Sequence, residues 1–144
     1  MRMFLANDDA TAALGAKLAA RARPGDVLLL QGPLGAGKST LARAFIRALA
    51  GDPGLTVPSP TFTLVQAYET PRGEVWHYDL WRLGGPEGLT ELGWDEAGDK
   101  ITLVEWPERL GGLAPAEALR VGLSHAGAGR EIELLGEERW LNGL

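Results

Sequence analysis

The sequence has 144 residues, of which 45% are hydrophobic and 23% charged, with a net charge of −5 and no cysteine. This length suits a single domain over residues 1–144 with its own core, and the lack of cysteine excludes disulfides and thiolate zinc sites. The negative charge argues against binding DNA or RNA through a broad basic face. No apolar run has the length of a signal peptide or membrane span, so we expect a cytoplasmic protein with no membrane contact.

The first half of the chain predicts alternating strands and helices. In chain order they are an edge strand at 1–5, a helix at 8–22, a strand at 27–31 and a helix at 38–50. Asp8 or Asp9 would cap the first helix. The continuous apolar run at 27–31 is typical of a strand buried on both faces. Leucine and phenylalanine spaced four apart give the second helix one apolar stripe.

The second half predicts a β-hairpin and further strands. In chain order there are a strand at 59–70, a turn at 71–73, a strand at 74–83, loops with a short helix at 84–100, a strand at 101–106, two strands within 116–136 around a glycine-rich turn at 127–129, and a closing helix within 137–144. β-Branched and aromatic residues favour the hairpin strands. This order predicts a mixed α/β sheet with helices on both faces.

The stretch GPLGAGKST at 32–40 matches the phosphate-loop motif G-x-x-x-x-G-K-[ST]. Glycines let backbone N–H groups surround phosphate oxygens, and the following helix directs its positive end at the same place. We expect Lys38 to reach the terminal phosphates and Ser39, with Thr40 beside it, to provide a hydroxyl for Mg²⁺. With a buried strand before it and a helix after it, the motif predicts a P-loop NTPase-like fold with a β-hairpin after the P-loop helix.

Two carboxylates are candidates for catalysis. A P-loop site usually takes a metal-binding carboxylate from a neighbouring strand, and Glu105 ends an apolar strand, where ligands gather in open α/β sheets. Asp79 lies among aromatic residues and would orient the attacking water or complete the metal shell. The alternative for Asp79 is an ion pair with Arg82. His77 is explained equally well as a satisfied, half-buried histidine or as a catalytic one.

Hydroxyl residues after a proline-bounded loop suggest a nucleotide switch. Ser59, Thr61 and Thr63 suit a segment that orders around a γ-phosphate, although alternating threonines also follow from strand propensity. The sequence contains no Asn-Lys-x-Asp motif, so ATP is favoured over GTP. A small-molecule kinase would need a substrate pocket and an arginine-rich lid, for which this chain leaves little room.

Four segments, GPLGAGKST, SPTFTL, HYDLWRL and LVEWPERL, follow one another along the chain. In these motifs and over nearly the whole chain the sequence resembles the TsaE (YjeE) family. The resemblance implies an ATPase of bacterial tRNA threonylcarbamoyladenosine biosynthesis that uses ATP and Mg²⁺. It also implies a partnership with the TsaB–TsaD complex, which modifies the adenosine next to the anticodon, so that contact with tRNA is indirect.

The resemblance also implies roles for individual residues. Asp79 matches the aspartate needed for hydrolysis, Glu105 matches the metal-binding glutamate, and the metal-binding hydroxyl falls at Ser39 or Thr40. The implied nucleotide-binding residues are Thr11, Gly32, Leu34, Gly35, Ala36, Gly37, Lys38, Ser39, Thr40, Thr61 and Arg130, with Lys38 also catalytic and Thr11 near the adenine. Family members often have an acidic residue at the position of Pro33, which has no N–H to donate to a phosphate, and threonine at the position of Ser39.

Two functions of different kinds remain open at this point. The first is an ATPase subunit whose hydrolysis drives a cycle of its partners. The second is a binding module in which ATP occupancy, without hydrolysis, controls assembly with those partners. Kinase activity is a third, more remote alternative.

Overall fold

A single mixed sheet of seven strands forms the centre of the protein, described over residues 1–144 by a computed structural model. The strands are β1 (Arg2–Leu5), β2 (Val27–Gln31), β3 (Val65–Thr70), β4 (Gly73–Asp79), β5 (Ile101–Glu105), β6 (Leu119–Ala126) and β7 (Gly129–Leu135). Their order across the sheet is β1-β7-β6-β2-β5-β4-β3. The central neighbours β4, β5, β2 and β6 run parallel, whereas the outer pairs are antiparallel.

The three α-helices cover one face of this sheet, and 3₁₀ segments cover the other face, where the sequence predicts helices as well. The helices are α1 (Asp8–Arg21), α2 (Lys38–Ala50) and α3 (Glu138–Leu141), with 3₁₀ segments at Pro86–Gly88, Thr90–Leu92, Trp94–Asp99 and Pro107–Leu113. Leu28 and Leu30 of β2 join the core beneath α1 and α2. Leu29 points the other way and packs with residues of the 3₁₀ segments. Alternation along β2 therefore places apolar side chains in both cores, which explains its continuous apolar sequence. No helix combines the length and the hydropathy needed to cross a bilayer.

The parallel strands bring three chain segments to one edge of the sheet. In the register, Glu105 at the end of β5 lies beside Leu30 of β2 on one side and Asp79 of β4 on the other. The phosphate-loop motif leaves β2 at this same edge. The carboxyl ends of β2, β4 and β5 therefore define the region in which the predicted site residues meet.

Some predicted element boundaries were wrong. Asn7 caps α1, because its backbone is extended and its Oδ1 accepts the Ala10 N–H at 2.9 Å; Asp8 and Asp9 instead lie in the first turn. The strand predicted at 59–70 begins only at Val65. Before it the chain turns back on itself, with the Leu64 N–H donating to the Pro60 carbonyl at 2.7 Å and Leu64 in the left-handed region, at φ 68°.

The second hairpin strand is also shorter than the sequence predicts. It ends at Asp79 rather than at residue 83, because the Asp79 carboxylate accepts the Trp81 N–H at 3.0 Å and turns the chain away from the sheet. The hydroxyl of Tyr78 donates to the Leu92 carbonyl at 2.9 Å and ties the following 3₁₀ segments to β4. Burial raises the pKa of Tyr78, and Glu96 nearby raises it further.

Candidate nucleotide site

Gly32 and Gly37 give the phosphate loop its shape. They have φ angles of 149° and 106°, a range that residues with a side chain rarely adopt. A Cβ on Gly32 would collide with the Leu123 carbonyl oxygen of β6, and one on Gly37 would collide with the guanidinium of Arg130. The loop therefore lies against β6 on one side and Arg130 on the other, and at Gly32 the fixed backbone of β6 leaves no room for a side chain.

Lys38 is buried at the first turn of α2 and is 5% exposed. Its Nζ donates to the carbonyls of Gly32 and Pro33 and lies 3.7 Å from the centre of the Trp106 ring. Burial lowers the pKa of Lys38, and the carboxylates of Glu105, Glu108 and Asp79 act in the opposite direction. The ammonium group is thus held at the centre of the loop by carbonyl oxygens and an aromatic face.

Trp106 follows Glu105 directly and adopts an unusual backbone conformation. Its φ of 59° and ψ of 54° lie in the left-handed region, which is costly for a residue with a large side chain. The ring packs against Trp81 at a centroid distance of 4.4 Å and faces Lys38. Such strain is found at functional sites, where the surrounding structure imposes it.

Glu105 is 2% exposed and contacts two polar side chains. Its Oε1 accepts from the Ser39 hydroxyl at 3.3 Å, and its Oε2 lies 2.7 Å from Nε2 of His77. One hydroxyl and one carboxylate are oxygen ligands of the kind that Mg²⁺ takes together with nucleotide phosphates and water. A donor set of this size fits a metal that is also held by phosphate.

Asp79 is 5% exposed and accepts hydrogen bonds on both carboxylate oxygens. Oδ2 accepts from Thr61 at 3.2 Å and from Ser59 at 3.5 Å, and Oδ1 accepts the Trp81 N–H. The alternative of an ion pair with Arg82 is wrong: the Arg82 guanidinium instead lies over the ring of Phe62, 4.7 Å from its centre. The hydroxyl segment and Asp79, far apart in sequence, therefore form one hydrogen-bonded unit.

Arg130 extends from β7 to the phosphate loop. Its guanidinium donates to the Thr11 hydroxyl at 2.9 Å and to the Asp8 carboxylate at 2.8 Å. Thr11 is fully buried and lies behind Arg130, so the arginine faces the site and the threonine fixes its position. Thr11 and Arg130, both predicted to bind the nucleotide, are thus adjacent, but only Arg130 lines the cleft described next.

These groups surround a cleft of about 360 Å³. Its wall consists of Asp8, Leu34, Gly35, Gly37, Lys38, Ser39, Thr40, Ser59, Thr61, Asp79, Glu105, Trp106 and Arg130. Of the predicted nucleotide-binding residues, only Thr11, Gly32 and Ala36 are not part of the wall. Ala36 is 1% exposed, and its N–H donates to the Pro33 carbonyl within the loop at 3.2 Å. These three residues support the cleft from behind.

Comparison with known proteins places the chain in a family. Residues 5–132 match the family model described as "Threonylcarbamoyl adenosine biosynthesis protein TsaE". The chain belongs to the TsaE family. A TsaE protein of Rickettsia felis is 38% identical over 122 residues, covering 84% of this chain and 71% of the relative. The TsaE protein of Bacillus subtilis is 36% identical over 146 residues, covering 92% of this chain and 89% of the relative.

A solved structure gives the same result for the fold. The crystal structure of Bacillus subtilis YdiB superposes with a TM-score of 0.74 at 31% sequence identity, covering 98% of this chain and 88% of that one. The TsaE-family assignment and the P-loop NTPase-like fold predicted from the sequence are both confirmed. A fold of this type, with the phosphate loop at the sheet edge, implies nucleotide binding.

Sequence analysis of this TsaE-family chain missed two residues of the cleft wall. Trp106 was not among the predicted site residues, and its position directly after Glu105, the predicted metal ligand, was the available signal. Asp8 was predicted as a helix cap. It lies in the first turn of α1, where nothing in the local pattern indicates that β7 will bring Arg130 within 2.8 Å.

Proposed function

We propose that this protein binds Mg²⁺·ATP in the cleft and hydrolyses it as a subunit required for tRNA threonylcarbamoyladenosine biosynthesis. The observation that carries the proposal is the meeting of the phosphate loop, Glu105 and Asp79 at the carboxyl ends of β2, β5 and β4. P-loop enzymes assemble a phosphate cradle, a metal-binding carboxylate and a water-positioning group at this place. The absence of a guanine-specific motif supports ATP as the nucleotide.

Each group at the sheet edge has a chemical role in this proposal. Lys38 and the loop N–H groups would neutralise and orient the phosphates. Ser39 and Glu105 would hold Mg²⁺, with Thr40 next to Ser39, and Mg²⁺ bound there would supply positive charge that offsets the charge developing on the phosphates. Asp79 would orient the attacking water or complete the metal shell, with Thr61 fixing its carboxylate.

The surroundings of the cleft support a partner-dependent activity. Three large apolar side chains near it are exposed, with exposed fractions of 77% for Leu34, 82% for Phe62 and 45% for Trp81. Exposed apolar groups of this size around a polar cleft are typical of an interaction surface. We infer that this surface meets a TsaB–TsaD-type complex in the cytoplasm, and that those partners supply most of the contact with tRNA, since this chain carries a net charge of −5.

Phosphate release from Mg²⁺·ATP, measured alone and with the purified TsaB–TsaD complex and tRNA, tests the proposal. We expect Asp79→Asn and Glu105→Gln each to lower the rate by about 100-fold or more, as loss of a positioned acid–base or charged group does. ADP binding in the absence of metal should be unchanged. Glu117→Gln is the control, because Glu117 is an exposed carboxylate that is not on the cleft wall.

Wild-type rates from both Asp79→Asn and Glu105→Gln would overturn the assignment of these carboxylates. Slow release that increases with the complex and tRNA would support a partner-coupled ATPase. Fast phosphate release at the same rate with and without the complex and tRNA would contradict coupling of hydrolysis to these partners and would indicate a different target protein.

A nucleotide-gated binding module is the second candidate. It is favoured by one observation, that both carboxylate oxygens of Asp79 already accept hydrogen bonds from the protein. Asp79 would then hold the hydroxyl segment 59–61 in place, and ATP occupancy alone would control the partner surface. In that case a variant that binds but does not hydrolyse ATP would still support repeated rounds of tRNA modification.

A further inference from the structure

His77 is a buried histidine to which the proposed function gives no role. Its side chain is 1% exposed, Nε2 lies 2.7 Å from Oε2 of Glu105, and Nδ1 is buried without a partner. The cleft wall does not include His77. Because neither ring nitrogen reaches the cleft, His77 does not touch a nucleotide or its metal, and any function it has must act through Glu105.

Glu105 offers each of its carboxylate oxygens to a different partner. Oε1 accepts from Ser39 on the cleft side, and Oε2 faces His77 in the interior. Since an ionised carboxylate only accepts hydrogen bonds, Nε2 of His77 carries the hydrogen in this contact. A rotation that left neither carboxylate oxygen facing Ser39 would break this buried bond, and an unpaired buried carboxylate oxygen is costly.

The parallel pairing of β4 with β5 explains how His77 reaches this carboxylate. Asp79 pairs with Glu105 and His77 pairs with Leu103 in the register. His77 and Asp79 share one face of β4, because side chains two residues apart point the same way. The imidazole therefore lies behind Asp79 and contacts the interior oxygen of Glu105, while Asp79 remains on the cleft wall.

We propose that His77 is the positioning residue for Glu105 and keeps Oε1 directed at Ser39, where the metal of a bound nucleotide would be held. The inference rests on the proposed function and deepens it. Outer partners that hydrogen-bond a ligating side chain fix its orientation, and their loss lowers metal affinity by about 10- to 100-fold. A histidine that only filled space would be replaceable by an apolar residue without any change in metal affinity.

Mn²⁺ binding to the protein saturated with a non-hydrolysable ATP analogue, followed by electron paramagnetic resonance, tests this proposal. His77→Leu removes the hydrogen-bond donor and keeps apolar bulk, whereas His77→Gln keeps an amide donor near the place of Nε2. We expect the Mn²⁺ Kd to increase by about 10-fold or more in His77→Leu and to stay within about threefold of wild type in His77→Gln. Affinity for the analogue in EDTA should be the same in all three proteins. Equal Mn²⁺ affinities in wild type and His77→Leu would overturn the proposal.

The wild-type protein provides a second measurement that does not depend on a folded leucine variant. In heteronuclear NMR of the imidazole nitrogens, we expect Nε2 of His77 to carry a hydrogen that exchanges slowly with water. Glu105→Gln should shift that signal, because it changes the partner of Nε2. A His77 ring protonated on Nδ1 alone would contradict the proposal.

Glu105→Gln also separates failure of this inference from failure of the proposed function. If Glu105→Gln weakens Mn²⁺ binding and His77→Leu does not, the metal site stands and the positioning role is wrong. If Glu105→Gln leaves Mn²⁺ binding unchanged, Glu105 is not a metal ligand, and both the metal site and the role of His77 are wrong.

Discussion

Gly32 lies where β2 passes into the phosphate loop, with a φ of 149° and the backbone of β6 against its Cα. Two separate costs would follow from a side chain here, one from the backbone conformation and one from contact with the Leu123 carbonyl. Gly127, in the β6–β7 turn, has a φ of 59° but nothing within 4 Å of an added Cβ. Comparing a substitution at Gly32 with one at Gly127 therefore separates the cost of the backbone conformation from the cost of crowding.

We expect Gly32→Ala to lower the free energy of unfolding by about 3 kcal/mol, the sum of about 1 to 2 kcal/mol of strain and a similar amount of overpacking. Gly127→Ala should cost only the strain, about 1 kcal/mol. Thermal melting would detect a decrease of about 6 to 12 °C against about 2 to 4 °C for a chain of this size. Equal decreases would show that the Leu123 carbonyl moves aside.

At the level of elements, a turn residue of the β3–β4 hairpin holds the end of a helix. Arg72 donates to the carbonyls of Ala19, Ala20 and Ala22 at 3.4, 3.4 and 2.6 Å. Carbonyls at a helix C-terminus carry the negative partial charge of the helix, so a guanidinium there is favourable. The contact joins the hairpin that contains Asp79 to the helix that contains Thr11.

Arg72→Ala is expected to lower the free energy of unfolding by about 1 kcal/mol, the net value of charge-assisted bonds at a partly exposed site. The melting temperature should decrease by about 2 to 4 °C. Arg23→Ala is the control, because Arg23 is exposed and follows the same helix but its side chain makes no hydrogen bond or ion pair. If Arg72→Ala has the same melting temperature as Arg23→Ala, the contact contributes nothing to stability.

Over the whole molecule, the strands at the middle of the sheet are the most buried and are hydrogen-bonded on both sides. Every residue of β5 is buried, and the strand pairs with β2 and β4 on its two sides. By contrast, residues 86–99 consist of 3₁₀ segments, whose hydrogen bonds are short-range and weaker in geometry. Opening of β5 requires loss of the hydrophobic cores on both faces of the sheet, whereas opening of residues 86–99 does not.

Native-state hydrogen exchange should reproduce this difference. We expect amides of β2 and β5 to exchange only through global unfolding, and those of 86–99 to exchange at least about 100-fold faster through local opening. The edge strand β1 should fall between them, since it pairs on one side only. Uniform protection across these three regions would contradict a sheet-centred distribution of stability.

The sequence by itself determined the features that depend on neighbouring residues. The buried β2, the stripe of α2 and the phosphate loop are local patterns of composition and spacing, and four motifs in order were enough to indicate the family. Strand limits at 59–64 and after Asp79 were missed, because two hydrogen bonds override strand propensity there: Leu64 N–H donates to the Pro60 carbonyl, and Trp81 N–H donates to the Asp79 carboxylate.

Only the tertiary structure decided which site residues touch. The bond between His77 and Glu105 spans 28 residues of sequence, and that between Arg130 and Thr11 spans 119. Neither follows from a local pattern, because both depend on the order of strands in the sheet and on its register. With β5 between β2 and β4, Glu105 lies between Ser39 and His77, and that position gives its two oxygens different partners.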